Sequence, residues 1–194
     1  MGVGKILHLI DRKCLTAMVF GVFLATGILI TATLAESDTE YSVGSGDDDW
    51  WITYPDQHPN AGFEVDHPQW IIDALVDQPI IILDHSSGGC KACVYQESYV
   101  DAILEDYDKD IAYYNMIAGV GEFEAEELFD IYDPDGGASY VPLTIVLTLV
   151  QDPEDEIVVG WHSVEDDKGG EDLVRYYVED AIMYYEDNRD DWDY

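Results

Sequence analysis

Cys90 and Cys93 are the residues of this 194-residue chain whose type and spacing most clearly suggest chemistry. They are separated by Lys91-Ala92, and they lie where an apolar, strand-like run ends and an amphipathic, helix-like run begins. The third cysteine, Cys14, is distant, at the edge of an N-terminal apolar segment. A pair this close in sequence closes too small a loop to constrain the unfolded chain much, so a structural staple explains it poorly. The spacing therefore favours a redox pair, with half of a metal site as the alternative.

A zinc site would need two further ligands beside this pair, because structural Zn²⁺ takes four Cys or His ligands. The candidate histidines are scattered along the chain without paired spacing: His58, His67, His85 and His162. The acidic turn at 133–137 lacks the regular spacing of a calcium loop. We therefore predict redox chemistry and assign neither a metal nor another cofactor.

The segments around the cysteines alternate between helix and strand patterns. Pro68 suits the first turn of a helix, and the apolar run at 79–83 predicts a strand buried on both faces. Apolar residues at helical spacing predict a helix from the cysteines to about Asp108, followed by a strand at 111–117. A strand, helix and strand of these lengths imply parallel pairing of the two strands.

Three further patterns complete an α/β domain. A short helix is predicted near 125–132, and β-rich runs at 143–150 and 157–161 predict an antiparallel hairpin. An amphipathic helix is predicted over 174–185, with a frayed acidic tail from Glu186.

This order of elements resembles the thioredoxin superfamily over residues 68–187. Three landmarks carry the resemblance: the CxxC at a strand-to-helix junction, Asp84 six residues before Cys90, and Val141-Pro142 directly before the third strand. The resemblance implies an α/β, thioredoxin-like fold, in which a central mixed β-sheet is flanked by helices.

The resemblance also implies roles for individual residues. Cys90 would attack client disulfides as a thiolate stabilised by the helix N-terminus, and Cys93 would be the buried resolving thiol, with a Cys90–Cys93 disulfide in the oxidised protein. Asp84 would help to move the proton of the resolving thiol, which suits a carboxyl group that an apolar strand keeps protonated. Pro142 would be a cis-proline facing the cysteines, and the backbone of Val141 would dock the client through β-type hydrogen bonds.

The chain departs from the usual thioredoxin pattern in three places. Gly89 stands where a tryptophan commonly precedes the first cysteine, and Lys91-Ala92 is neither the Gly-Pro of reductive thioredoxins nor the X-His of isomerases and strong oxidants. The predicted strand at 111–117 holds no lysine to pair with Asp84, so the alternative for Asp84 is a strand-end residue that caps the loop. The redox direction is thus not implied, and the missing histidine favours a reductase-like or mid-potential carrier.

The first 35 residues predict the compartment. Cations precede an uncharged stretch at 14–35 that spans roughly 33 Å as a helix, enough for a bilayer core. Residues 1–35 are therefore predicted to be a transmembrane anchor, and the small residues at 33–35 make a cleaved signal peptide the alternative. Either one places a flexible acidic tether at 36–49 and the thioredoxin-like domain at 50–190, with its N-terminal extension, outside the cytoplasm.

The charge balance excludes one class of partner. The chain has 8 Lys and Arg against 42 Asp and Glu, a net charge of −34. Such a surface repels nucleic acid, so no nucleic-acid role is expected. It also suggests a salty, halophilic setting, where screening shortens the range of self-repulsion.

These observations predict an extracytoplasmic thiol–disulfide oxidoreductase that exchanges disulfides with client proteins. Its partners would be clients with thiols or disulfides and a redox partner, expected in the membrane, that resets the CxxC. One alternative is a copper- or zinc-handling thioredoxin-like module, for which His85 is the histidine nearest the cysteines. The other is a non-catalytic interaction domain with a locked disulfide.

Overall fold

The computed structural model describes residues 41–119, 123–166 and 168–194. The predicted anchor or signal segment at 1–35 lies outside the described residues. The chain divides into two units after residue 39, and the described residues belong to the second unit. Among the helices of the described residues, none has the length and hydropathy required to cross a bilayer.

The described residues form six strands and four α-helices. The strands are β1 (Val43–Gly44), β2 (Trp50–Trp51), β3 (Ile80–Ser86), β4 (Ala112–Ala118), β5 (Leu143–Gln151) and β6 (Ile157–Glu165). The helices are α1 (Gln69–Leu75), α2 (Lys91–Tyr107), α3 (Phe123–Tyr132) and α4 (Gly170–Asn188), and a 3₁₀ turn at Arg189–Asp191 follows α4.

The strands form one mixed sheet in the order β1-β2-β6-β5-β3-β4. Strand β3 is central: it pairs in parallel with β4, where Ile80 lies opposite Ala112, and antiparallel with β5, where Leu83 lies opposite Thr144. Strands β5 and β6 form an antiparallel hairpin. The predicted α/β class, the parallel β3–α2–β4 unit and the β5–β6 hairpin are therefore confirmed.

Helices cover both faces of the sheet, because the side chains of a strand alternate between its two sides. Ile80 and Ile82 of β3 join a buried cluster with residues of α1 and α3. Ile81 and Leu83 join a second cluster, on the opposite face, with residues of α2 and α4. The continuous apolar run of β3 thus follows from burial on both sides, as expected for a central strand.

The segment Tyr41–Trp51, here called the strap, lies along the β6 edge of the sheet. Trp51 pairs with Trp161 at the centre of β6, and both Trp50 and Trp51 are buried. The Nε1 of Trp50 donates a hydrogen bond to Oδ2 of the buried Asp180 on α4, at 2.6 Å. The predicted extension beginning at residue 50 therefore packs on the domain.

The strap also includes the described part of the predicted flexible tether. The ring of Tyr41 stacks on Tyr177 of α4 with centroids 4.2 Å apart, and the side chain of Asp49 accepts hydrogen bonds from Ser42 Oγ and Gly46 N–H. Residues 41–49 thus form β1 and a closed turn. The composition of the segment concealed this order, because the stacking of Tyr41 on α4 and the hydrogen bonds within the turn leave no periodic pattern.

The C-terminal helix extends further than the sequence pattern indicates. A frayed tail was expected from Glu186, but α4 continues to Asn188. The side-chain amide of Asn188 donates to the carbonyl of Leu149 at 2.9 Å, and the hydroxyl of Tyr185 donates to the carbonyl of Val76 at 3.0 Å. These contacts hold the last turn of α4 against β5 and the C-terminal end of α1.

Candidate functional site

Cys90 and Cys93 are joined by a disulfide bond at the start of α2. Cys90 is the N-cap residue of the helix, and its Sγ accepts a hydrogen bond from the backbone N–H of Cys93 at 3.0 Å. A sulfur atom thus occupies the place that a serine or aspartate oxygen usually takes at a helix N-terminus. The predicted cysteine pairing and its place at a strand-to-helix junction are confirmed.

The two cysteines differ in their access to solvent. Cys90 is partly exposed, whereas Cys93 retains only 3% of its accessible surface and packs in the first turn of α2. The loop that precedes them, Ser87–Gly89, is exposed. Gly89 has φ of +79°, a conformation that side chains rarely adopt, so a bulky residue before the first cysteine would be strained here. An incoming group can therefore reach Cys90 but not Cys93.

The Val141-Pro142 peptide faces the disulfide from the loop before β5. The carbonyl oxygen of Val141 lies 3.7 Å from Cys90 Sγ, and the Val141-Pro142 bond is cis. Pro142 is buried, and its carbonyl accepts a hydrogen bond from the N–H of Asp166 at 2.9 Å. The structure therefore brings together four of the residues named from the sequence: Cys90, Cys93, Val141 and Pro142.

Asp84 lies in the interior, on β3, with no accessible surface. Its Cα pairs with Met116 of β4 and Leu143 of β5. The strand β4 contains no lysine, as its sequence indicates. Asp84 is thus a buried carboxyl group in the middle strand and not a cap on the exposed loop.

Ser86 is the residue of β3 that touches the cysteine pair. Its Oγ lies 3.8 Å from Cys93 Sγ and 3.4 Å from the carbonyl oxygen of Gly88. The sequence patterns did not indicate a role for Ser86. The signal that would have found it is its position two residues after Asp84, which puts both side chains on the same face of the strand.

Gln96 is a second residue that sequence reasoning missed. It is completely buried on α2, and its Nε2 donates a hydrogen bond to Oγ1 of Thr144 on β5 at 2.7 Å. Its Oε1 has no hydrogen-bond partner among the described residues. Its spacing could have revealed it, because Gln96 lies three residues after Cys93 and four before the buried Val100, on the inward stripe of α2.

His85, the histidine considered for a metal site, has its ring nitrogens engaged elsewhere. Its Nε2 lies 2.8 Å from Oδ1 of Asn115 on β4, and its Nδ1 lies 3.1 Å from the carbonyl oxygen of Ser86. This arrangement favours the redox interpretation of the cysteines over metal binding.

Exposed apolar side chains flank Cys93 and Val141 in the sequence. Val94 and Tyr95, on the first turns of α2, are 63% and 42% exposed, and Tyr140, next to Val141, is 55% exposed. The ammonium of Lys91 lies 5.4 Å from the centre of the Tyr95 ring. This surface, here called the rim, offers apolar contacts to a molecule that approaches Cys90.

An acidic cluster contacts the loop that carries Tyr140. The backbone N–H of Tyr140 donates to Oε1 of Glu165 at 3.2 Å. Glu165, Asp133 and Asp135 each place a carboxylate oxygen within 4.8 Å of the others, a spacing that a cation could bridge. Burial raises the pKa of Glu165, and the negative charge of Asp133 adds to this rise.

Comparisons with protein-family models and with curated proteins found no match. The functional argument therefore depends on the geometry: a CxxC disulfide at the N-terminus of a helix, in an α/β domain with a mixed sheet.

Proposed function

We propose that this domain is a thioredoxin-like thiol–disulfide oxidoreductase, which exchanges disulfides with client proteins through Cys90 and Cys93. One observation carries the proposal. The disulfide lies at the N-terminus of α2, where the N–H of Cys93 already points at the Sγ of the accessible cysteine. The helix N-terminus favours negative charge, so reduction would leave Cys90 as a stabilised thiolate.

The chemistry is reversible exchange through a mixed disulfide. The Cys90 thiolate attacks one sulfur of a client disulfide, forms a bond to it and releases the other sulfur as a thiolate. Cys93 then attacks Cys90 Sγ, the bond to the client breaks, and the client leaves reduced while the CxxC is oxidised. In the opposite direction a client thiolate attacks the CxxC disulfide, and the same intermediate forms.

Four neighbours support this cycle. Val141, whose carbonyl lies 3.7 Å from Cys90 Sγ, would pair with the extended backbone of a client, and Pro142 would hold that backbone in place. The exposed Val94 and Tyr140 of the rim would contact apolar client side chains. Val141 and Pro142 would then have the roles that the thioredoxin resemblance implies, and the buried Asp84 would assist the loss of the Cys93 proton from the interior.

We further propose that the domain works outside the cytoplasm, tethered by the N-terminal segment or released from it. The uncharged stretch at 14–35 supports this location. A redox partner in the membrane would then reset the CxxC. In cells that express the full chain, an external protease should degrade the domain when only the outer face of the membrane is accessible. Protection from that protease would contradict the proposed location.

The test of the activity uses two matched variants and a disulfide-bonded peptide as substrate. Cys93→Ser, reduced beforehand, should accumulate a mixed disulfide with the peptide, visible as a mass increase that a reductant reverses. Cys90→Ser should form none, because Cys93 is buried. If neither the wild type nor Cys93→Ser exchanges with the peptide, the proposal is wrong, and resistance of the wild-type disulfide to mild reductant would indicate a locked, non-catalytic bond.

The reduction potential of the couple would give the direction of exchange. A value of about −270 mV indicates an electron donor, and a value of about −120 mV indicates a strong oxidant. The measurement requires only equilibration of the full-length protein with glutathione buffers of known ratio.

A further inference from the structure

The hydroxyl of Ser86 connects the buried resolving cysteine to the exposed loop. Its Oγ lies 3.8 Å from Cys93 Sγ on one side and 3.4 Å from the carbonyl oxygen of Gly88 on the other. Cys93 is 3% exposed, whereas Gly88 lies in the exposed loop. The Ser86 hydroxyl therefore lies between the buried sulfur and the exposed loop.

The hydrogen-bonding capacity of these groups fits the reduced protein better than the oxidised one. A serine hydroxyl has one proton to donate and two lone pairs that accept. In the disulfide form neither sulfur carries a proton, so the single Ser86 proton faces two acceptors, both at long distances. Reduction adds the missing donor, since the Cys93 thiol can donate to Ser86 Oγ while Ser86 donates to the Gly88 carbonyl.

We propose that Ser86 is a catalytic residue of the resolving step, through which the proton of the Cys93 thiol leaves. This proposal rests on the exchange activity proposed above. In the mixed disulfide, Cys93 gives its proton to Ser86 Oγ while Ser86 releases its own proton to solvent at the loop. The Cys93 sulfur then bonds to Cys90 Sγ, the bond between Cys90 and the client breaks, and the client sulfur leaves as a thiolate. The CxxC is oxidised and the client disulfide is reduced, so two electrons and one proton are accounted for.

The charged and titratable groups near Ser86 do not offer the Cys93 proton a more direct way to solvent than the Ser86 hydroxyl. Asp84, two residues earlier on the same face of β3, has no accessible surface and so cannot itself release a proton to solvent. The ring of His85 points to Asn115 on β4, and the ammonium of Lys91 on α2 lies near the ring of Tyr95. On the β5 side, the acidic Glu165 is engaged by the N–H of Tyr140.

The experiment measures the lifetime of the mixed disulfide in the full-length protein. Reduced protein is mixed with a disulfide-bonded peptide, samples are quenched with acid, and the intermediate is quantified by mass. Ser86→Ala should resolve the mixed disulfide at least about tenfold more slowly than the wild type, because general acid–base groups contribute that much or more. The first attack by Cys90 should keep its rate, and the loss should be largest at low pH, where the thiol must lose its proton.

Two control variants separate the hydroxyl from a structural effect. Ser86→Thr keeps the hydroxyl and should restore resolution, and Ser87→Ala, at the exposed next residue, should behave as the wild type. Resolution by Ser86→Ala at the wild-type rate and with the wild-type pH profile would overturn this proposal alone, because the protein would still exchange. Absence of any mixed disulfide in every protein, including Cys93→Ser, would instead overturn the exchange activity.

Discussion

The backbone N–H of Cys93 lies 3.0 Å from the Sγ of Cys90, so the helix that carries both cysteines is capped by its own sulfur atom. After reduction the same N–H would donate to a thiolate, and hydrogen bonds to ionised acceptors are stronger than those between neutral groups. The buried Cys93 occupies no such position. The geometry thus assigns different chemistry to two identical side chains three residues apart.

Selective alkylation should reveal this difference. In the reduced protein at pH 7, iodoacetamide should modify Cys90 at least about tenfold faster than Cys93, because the thiolate is the nucleophile and Cys93 is shielded. Peptide mass analysis of timed samples gives both rates. The two rates should converge in urea, and equal rates in the folded protein would contradict the expectation.

Asp84 and Ser86 should affect the resolving step together. If the proton of Cys93 leaves through the Ser86 hydroxyl and Asp84 assists from the interior, Asp84→Asn should slow resolution of the mixed disulfide. The double variant Asp84→Asn/Ser86→Ala should then be no slower than the slower single variant. Residues that act in one network are not additive. Effects that multiply in the double variant would instead show two independent contributions.

The hydrogen bonds from the strap to Asp180 of α4, here called the clamp, should stabilise the domain. Asp180→Leu removes the buried acceptor of Trp50 Nε1 and of the Tyr41 N–H. Leaving a buried donor unsatisfied costs about 1–3 kcal/mol of unfolding free energy, so urea denaturation should show a loss of that size. Asp180→Asn keeps an acceptor and should lose less. The exposed Asp187→Asn, on the same helix, serves as the control, and an equal loss there would contradict the role of the clamp.

The strap should also weaken in acid, because His162 is buried beneath it. The ring of His162 stacks on Tyr177 and contacts the ring of Trp51, and its Nδ1 donates to the carbonyl of Asp49 at 3.2 Å. Burial lowers the pKa of His162 to about 4. The histidine pKa in the unfolded chain is about 6.5, so between about pH 4 and 6.5 the unfolded chain binds a proton at His162 that the folded domain does not bind.

The sign of the effect follows from that difference. The contribution of His162 to stability is fully present above about pH 6.5 and is lost as the pH falls toward 4, by up to about 3 kcal/mol. Urea denaturation of wild type and His162→Gln at pH 7 and pH 4 isolates this contribution from the titration of the many carboxylates. The variant should lose less stability between the two pH values, and identical losses would show that His162 does not contribute.

Salt should stabilise the domain. The chain carries a net charge of −34, and self-repulsion among exposed carboxylates is screened as ionic strength rises. The melting temperature should therefore increase when NaCl is raised from low concentration to about 1 M. Sodium sulfate at matched ionic strength separates screening from general salt effects, and an unchanged melting temperature would argue against adaptation to salt.

The sequence predicted those parts of the site that local patterns determine, and it did not predict those that depend on contacts between distant elements. The apolar run before the cysteines, the helical spacing after them and Pro142 before β5 each fix a local element, and these elements meet at one end of the sheet. Ser86 and Gln96 escaped prediction because their roles depend on which atoms face them from other elements. A serine in a turn and a glutamine in a helix are ordinary solvated residues until β5 and the cysteine pair are placed beside them.

The ordered structure of the N-terminal part was not predicted, for a related reason. Residues 41–49 have the composition of a flexible linker, yet the carboxylate of Asp180, which is 139 residues from Tyr41 and 130 from Trp50, accepts hydrogen bonds from both residues and holds them against α4. Long-range hydrogen bonds of this kind leave no periodic pattern in a sequence.

The two-residue strand β2 has a further consequence for how the domain behaves in a crowded solution. Without it, the nine-residue β6 would present a row of free backbone donors and acceptors along one side of the sheet. Trp51 occupies the centre of that row through its pairing with Trp161, and the strands that replace β6 at the boundary are only two residues long. A boundary so short is a poor template for another chain, so the strap protects this edge of the sheet from edge-to-edge aggregation.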